Sequence, residues 1–229
     1  MKHSRLTALL AGSALLFGAA TLTMADDTKK DKKHDKAADS TSDSKEKRVK
    51  VGEQVPNFTM TDVNGKSLQF SDFSGKPVVM QWVNPGCPVC VEVTKAGRVT
   101  KMIADAKAID PNVVFVMVNS TAATASDPKA TATYLADNKV VANAEVIDGS
   151  GVIGKMFDAK TTPAVFVIDS KGMLVYGSAF DDSSDRGATA GKTNYVINAL
   201  TQLKAGEKVS PDKTKSYGCG VKYAKNQNG

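Results

Sequence analysis

Trp82-Val83-Asn84-Pro85-Gly86-Cys87-Pro88-Val89-Cys90 decides how the rest of this 229-residue chain is read. The run leading into it, Val78-Val79-Met80-Gln81-Trp82-Val83, is apolar and β-branched, the pattern of a strand covered on both faces, and Asn84-Pro85-Gly86 breaks it. Pro88 suits the first turn of a helix, where a missing N–H costs nothing. A cysteine at such a helix start faces unsatisfied amides and the positive end of the helix dipole, and both favour thiolate over thiol. Cys87 is therefore the candidate nucleophile. Cys90, one helical turn on and more enclosed, is placed to attack a mixed disulfide formed at Cys87 and release the partner reduced. Trp82, Pro85 and Pro88 shape the turn, with Trp82 expected to pack beneath it as core.

Other uses of two cysteines spaced C-x-x-C fit less well. A zinc knuckle needs two more ligands, but only Cys219, His34 and His3 remain, and His3 falls in a segment expected to be removed. A c-type haem site needs His directly after the second cysteine, where this chain has Val91. A purely structural disulfide would close too short a loop to stabilise much. The expectation is no metal and no cofactor.

The N-terminus reads as an export signal. Lys2, His3 and Arg5 precede an apolar run from Leu6 to Met24, and Thr23 and Ala25 are the small residues that precede a cleavage site. An uncleaved anchor is the alternative, but the run is barely long enough to span a membrane and is diluted by Gly, Ser and Thr. Residues 1–25 are thus expected to be a signal peptide, and the mature protein to be periplasmic or otherwise extracytoplasmic. There a C-x-x-C pair needs a dedicated reductant to avoid idle oxidation. Residues 26–50 are Lys, Asp, Ser and Ala with almost nothing apolar, so they are expected to form a disordered charged linker. The signs alternate, and losing Lys2 and Arg5 with the signal lowers the formal charge of +6. No clustered basic footprint remains for nucleic acid. With 41% hydrophobic residues the remainder can bury a substantial core.

A folded domain is expected over residues 51–208, followed by a tail at 209–229. Asn64-Gly65 between short alternating segments signals a hairpin. A helix should follow Cys87 to about Ala108, and Val113 to Val118 is a second continuous apolar strand. Asp127-Pro128 caps a helix through about Asn138; Ala144 to Ile147 makes a third strand and Val152 to Phe157 a short helix. Thr162-Pro163 stands at the mouth of another buried strand, with an antiparallel partner from Met173 to Phe180. Asp181 to Lys192 reads as a polar loop, and an amphipathic helix from Asn194 to Leu203 closes the domain. This alternation gives an α/β fold.

In this order the chain resembles the thioredoxin-like redoxin superfamily, the branch that holds the alkyl-hydroperoxide-reductase/thiol-specific-antioxidant (AhpC/TSA) family and the exported thiol–disulfide oxidoreductases of the TlpA type. The resemblance covers about Val51 to Leu203. It rests on Trp82 to Cys90, on Thr162-Pro163 before a strand, and on the strand–helix insertion between Val113 and Phe157. It implies a central mixed sheet flanked by helices, with an N-terminal hairpin. It also implies a cis Pro163, and a Thr162 that presents backbone groups to an incoming chain in a substrate groove beside Cys87. Two positions depart from the pattern. Gln81 stands where thioredoxins carry a buried carboxylate, and Asn84 where peroxiredoxins carry Thr or Ser.

The tail Lys215-Ser216-Tyr217-Gly218-Cys219-Gly220-Val221-Lys222-Tyr223 is similar to the ending of redoxin-like proteins with a C-terminal cysteine. Cys219, between two glycines, is a candidate third redox thiol that resolves a disulfide at Cys87 or pairs with a second chain; the bland alternative is a cysteine without redox role. The first functional expectation is thus an exported thiol–disulfide oxidoreductase. Its partners would be protein or small-molecule thiols and disulfides, with an upstream redox partner. A peroxidase acting on peroxide and a non-catalytic binding module are the alternatives.

Overall fold

A computed structural model describes residues 48–225 of the chain. The expected signal peptide, and all of the expected linker before Arg48, lie outside the described residues. The elements follow in chain order: β1 (Thr59–Thr61), β2 (Ser67–Gln69), β3 (Val78–Trp82), α1 (Pro88–Lys95), α2 (Arg98–Ile109) and β4 (Val114–Asn119). Next come α3 (Ala122–Ala125), α4 (Pro128–Asp137), β5 (Ala144–Ile147), α5 (Val152–Met156), β6 (Thr161–Thr162) and β7 (Ala164–Ile168). β8 (Leu174–Ser178), α6 (Tyr195–Lys204) and β9 (Cys219–Gly220) complete the fold.

β3 is the middle of a five-stranded mixed sheet ordered β5-β4-β3-β7-β8. It runs parallel to β4 and antiparallel to β7, with Trp82 opposite Val118 on one side and Ala164 on the other. All five of its side chains are buried. The continuous apolar run is therefore a consequence of cover on both faces. Alternation along β3 divides the core. Val79 and Val83 point into a layer formed by α1, α2, α4 and α6, which also encloses both cysteines of the C-x-x-C pair. Val78, Met80 and Trp82 point to the other side, against Met60 and Phe70 of the hairpin region and Ile153 and Phe157 at α5.

The β1–β2 hairpin turns at Asn64-Gly65, where Asp62 Oδ1 accepts the amides of Asn64 and Lys66 at 2.8 Å each. α4 begins as its sequence predicts, with the Asp127 carboxylate accepting Ala130 N and Pro128 in the first turn. The single helix expected from Cys87 to Ala108 is instead two. Gly97 adopts φ +70°, which ends α1 and starts α2 on a new axis; a left-handed backbone there suits glycine and strains other residues. Between β4 and α4 the chain makes the short α3.

Order extends past both boundaries drawn from sequence. Val49 is buried in the hairpin-side core, its amide donating to the Met156 carbonyl, and Arg48 pairs with Asp158 at 3.1 Å. At the other end Val209 is buried, and the tail folds back on the domain to add β9 antiparallel to β6. Among the described residues no helix is long and apolar enough to cross a membrane.

Candidate functional site

The site lies where β3 ends. The chain turns at Asn84, whose carbonyl accepts Cys87 N at 3.0 Å and whose side-chain oxygen accepts Gly86 N at 2.8 Å and the Thr124 hydroxyl at 3.1 Å. Pro85 and Gly86 form the turn and Pro88 occupies the first position of α1, so Cys87 becomes the N-cap. Its sulfur accepts Cys90 N at 3.4 Å, one of the helix-start amides that would otherwise lack a partner.

Across the groove the Thr162–Pro163 peptide is cis, and the Cys87 thiol donates to the Thr162 carbonyl at 3.2 Å. The structure thus brings Cys87, Cys90, Thr162 and Pro163 together. Trp82 lies elsewhere. Its ring packs against Phe157 and Phe166 in the opposite core, centroids 5.5 and 5.1 Å away, and its Nε1 donates to Ser120 at 2.9 Å.

The two sulfurs are tuned in opposite directions. Burial pushes the Cys87 thiol up. The polar groups around the sulfur, Cys219, Thr162 and the Cys90 amide, outweigh this and hold it below its ordinary value. Cys90 is wholly enclosed, and burial raises its thiol to about 11 against the opposing pull of Tyr134. The Tyr134 hydroxyl lies 3.5 Å from Cys90 Sγ, 3.1 Å from the Cys90 carbonyl and 2.6 Å from Thr94 Oγ1.

Sequence reasoning missed Tyr134. It occupies the inward face of α4 with Thr131 and Leu135, and that spacing marks a core position without revealing which neighbour it meets. Gln81, at the position of the thioredoxin carboxylate, is fully buried, and neither of its side-chain polar atoms has a partner.

Cys87, the candidate nucleophile, is only 1% exposed. The cover is β9, which sets Cys219 opposite Thr162 and beside the Cys87 sulfur. Asp181, expected in a polar loop, is also buried; it pairs with Arg98 from α2 and accepts the Tyr217 hydroxyl at 2.6 Å. Among the described residues no group of three or more His, Cys, Asp and Glu side chains could hold a metal ion.

The family model described as Redoxin matches residues 50–195, well over half of the chain. The thiol-disulfide oxidoreductase ResA of Bacillus cereus (strain ATCC 10987 / NRS 248) is 38% identical over 47 residues, 20% of this chain. The match spans only 27% of the length of that relative. The thioredoxin-like protein YneN of Bacillus subtilis (strain 168) is 27% identical over 135 residues, 58% of this chain and 74% of its own. Two solved structures share the fold. A hypothetical protein of Sinorhizobium meliloti 1021 superposes with a TM-score of 0.67 at 20% identity, covering 78% of this chain and 97% of that one. An uncharacterized conserved protein from Geobacillus kaustophilus gives 0.68 at 24% identity, covering 77% and 94%.

Proposed function

Because the chain belongs to the Redoxin family, we propose that it is an exported thiol–disulfide oxidoreductase in which Cys87 is the nucleophile and Cys90 the resolving thiol. One observation carries this reading. The Cys87 sulfur sits at the start of α1, hydrogen-bonded by Cys90 N and apposed to the Thr162 carbonyl before Pro163, and its pKa lies below that of an ordinary thiol.

In the forward exchange the Cys87 thiolate attacks a partner's disulfide, forming a Cys87–partner bond and expelling the partner's second sulfur as thiolate. Cys90 then loses its proton and attacks Cys87 Sγ. The mixed disulfide breaks, the partner leaves reduced, and the Cys87–Cys90 disulfide remains. Tyr134 is the polar group beside Cys90 that steadies the emerging charge, in a site whose Gln81 cannot accept the proton as a carboxylate would.

Peroxide reduction is the weaker reading. Asn84 takes the place of the peroxiredoxin hydroxyl, and its side-chain oxygen is committed to Gly86 and Thr124. The apolar run from Leu6 to Met24 supports export, and the printed name of the ResA relative, a thiol-disulfide oxidoreductase, supports a redox role on thiols and disulfides.

The test is the double variant Cys90→Ser/Cys219→Ser, which leaves Cys87 as the one cysteine, mixed with a disulfide substrate such as insulin. A mixed disulfide at Cys87, reversed by dithiothreitol, is expected. No adduct with any protein or small disulfide would overturn the assignment.

A further inference from the structure

We propose that the tail around β9 is a built-in substrate strand, and that Cys219 is a second disulfide partner for Cys87 within the same chain. The inference rests on Cys87 being the nucleophile. It adds where the disulfide goes next.

The backbone pairing comes first. β9 lies antiparallel to β6 with Cys219 opposite Thr162 and Gly220 opposite Thr161. These are the two residues before Pro163, and an extended visiting chain would add to the same short edge. The tail therefore occupies the place of a substrate and presents a cysteine in the register of a substrate cysteine.

Three further features fit that role. Cys219 lies close enough to the Cys87 sulfur for each thiol to shift the pKa of the other, and it packs against the core that holds Cys87. Gly218 has φ +106°, and a Cβ there would collide with the Thr162 carbonyl, so a side chain would force the strand away from the groove. The strand is also fastened on both sides of Cys219. Tyr217 binds Asp181 ahead of it; behind it Val221 N donates to the Lys160 carbonyl at 2.9 Å and the Tyr223 hydroxyl to the Ala159 carbonyl at 2.5 Å.

Cys90 is completely enclosed, whereas Cys219 keeps partial exposure on a two-residue strand at the edge of the fold. A disulfide at Cys87–Cys90 is thus sealed, and one at Cys87–Cys219 is carried on a strap that can lift. The transfer is an exchange with no net change in oxidation. The Cys219 thiolate attacks Cys87 Sγ, the Cys87–Cys90 bond breaks as Cys87–Cys219 forms, and Cys90 leaves as thiolate and takes up the proton that Cys219 gave up. The oxidising equivalent is the one already accepted from a disulfide-bearing partner.

The experiment uses the full chain as Cys90→Ser, incubated with excess oxidised glutathione and digested without reduction for mass spectrometry. Cys87 should first take up glutathione, and Cys219 should then expel it. The product is a monomer lighter by two hydrogens, with the Cys87 and Cys219 peptides cross-linked. Glutathione retained on Cys87 while Cys219 stays alkylatable, or Cys219 bridging two chains, overturns the proposal.

The double variant Cys90→Ser/Cys219→Ser separates this from failure of the underlying reading. It should keep glutathione on Cys87, and if it never acquires any, the nucleophile assignment fails instead. Gly218→Val provides an independent arm. Displacing the strap should speed iodoacetamide alkylation of Cys87 by about tenfold or more, and an unchanged rate counts against the substrate-strand placement.

Discussion

The two faces of the five-stranded sheet are both closed to solvent, but they are closed in different ways. On the hairpin side Trp82, Phe157 and Phe166 interlock edge to face or tilted, and the indole N–H ends on Ser120, which donates in turn to Asp148 at 2.6 Å. On the helix side the same sheet meets two thiols, a buried tyrosine hydroxyl and an amide with no partner. Polar groups in a core cost free energy unless paired, so the second face gives up stability that the first retains. The comparison assigns holding the fold to one face and chemistry to the other.

The comparison can be broken most sharply with Cys87→Ser. Disulfide exchange should fall to background, while urea unfolding should move by no more than about 1 kcal/mol, because the substitution leaves the packing nearly unchanged. Phe157→Ala is the mirror experiment. It should cost about 3–5 kcal/mol in urea or thermal unfolding and leave the Cys87 thiolate pKa where it was. If it instead abolishes exchange in the folded fraction, the faces are coupled and the division fails.

Gln81→Met sharpens the comparison from the other side. Removing a buried amide with no partner should stabilise the protein by about 1–3 kcal/mol, and a loss of stability would mean that Gln81 is satisfied by a bound water.

The smallest effect is expected for Tyr134→Phe, which removes a hydrogen bond that favours the Cys90 thiolate and should raise that pKa from about 11 by up to about one unit. Thiolate absorbance against pH would show it. Stability follows the same signs. The folded-state pKa of Cys90 is raised, so its contribution is complete at neutral pH and is lost as pH climbs through about 11. Cys87 is shifted downward, so its contribution is present above the pKa of an unfolded thiol and is lost as pH falls through its own lower value.

What was legible in the sequence was local. Five buried positions in a row announced β3, Asn64-Gly65 announced the hairpin, and Asp127-Pro128 announced α4, because each signal is carried by neighbouring residues. The Cys87 and Thr162-Pro163 pair was legible through family resemblance. Where reading failed, the deciding partner was far along the chain. β9 has two residues and no periodicity, and it exists because Thr161 and Thr162 offer an edge to it. Asp181 looked like loop because its partner Arg98 is 83 positions away. Tyr134 had the spacing of core filler, and its contact with Cys90 depends on how α4 packs over α1. The break at Gly97 was local and could have been anticipated, since a glycine at that spacing is a ready left-handed cap.

Trp82 is the sole tryptophan of the chain, and it is packed on the side of the sheet away from the sulfurs. Its emission therefore reports the packing of the hairpin-side core, so unfolding followed by intrinsic fluorescence reads the loss of that face.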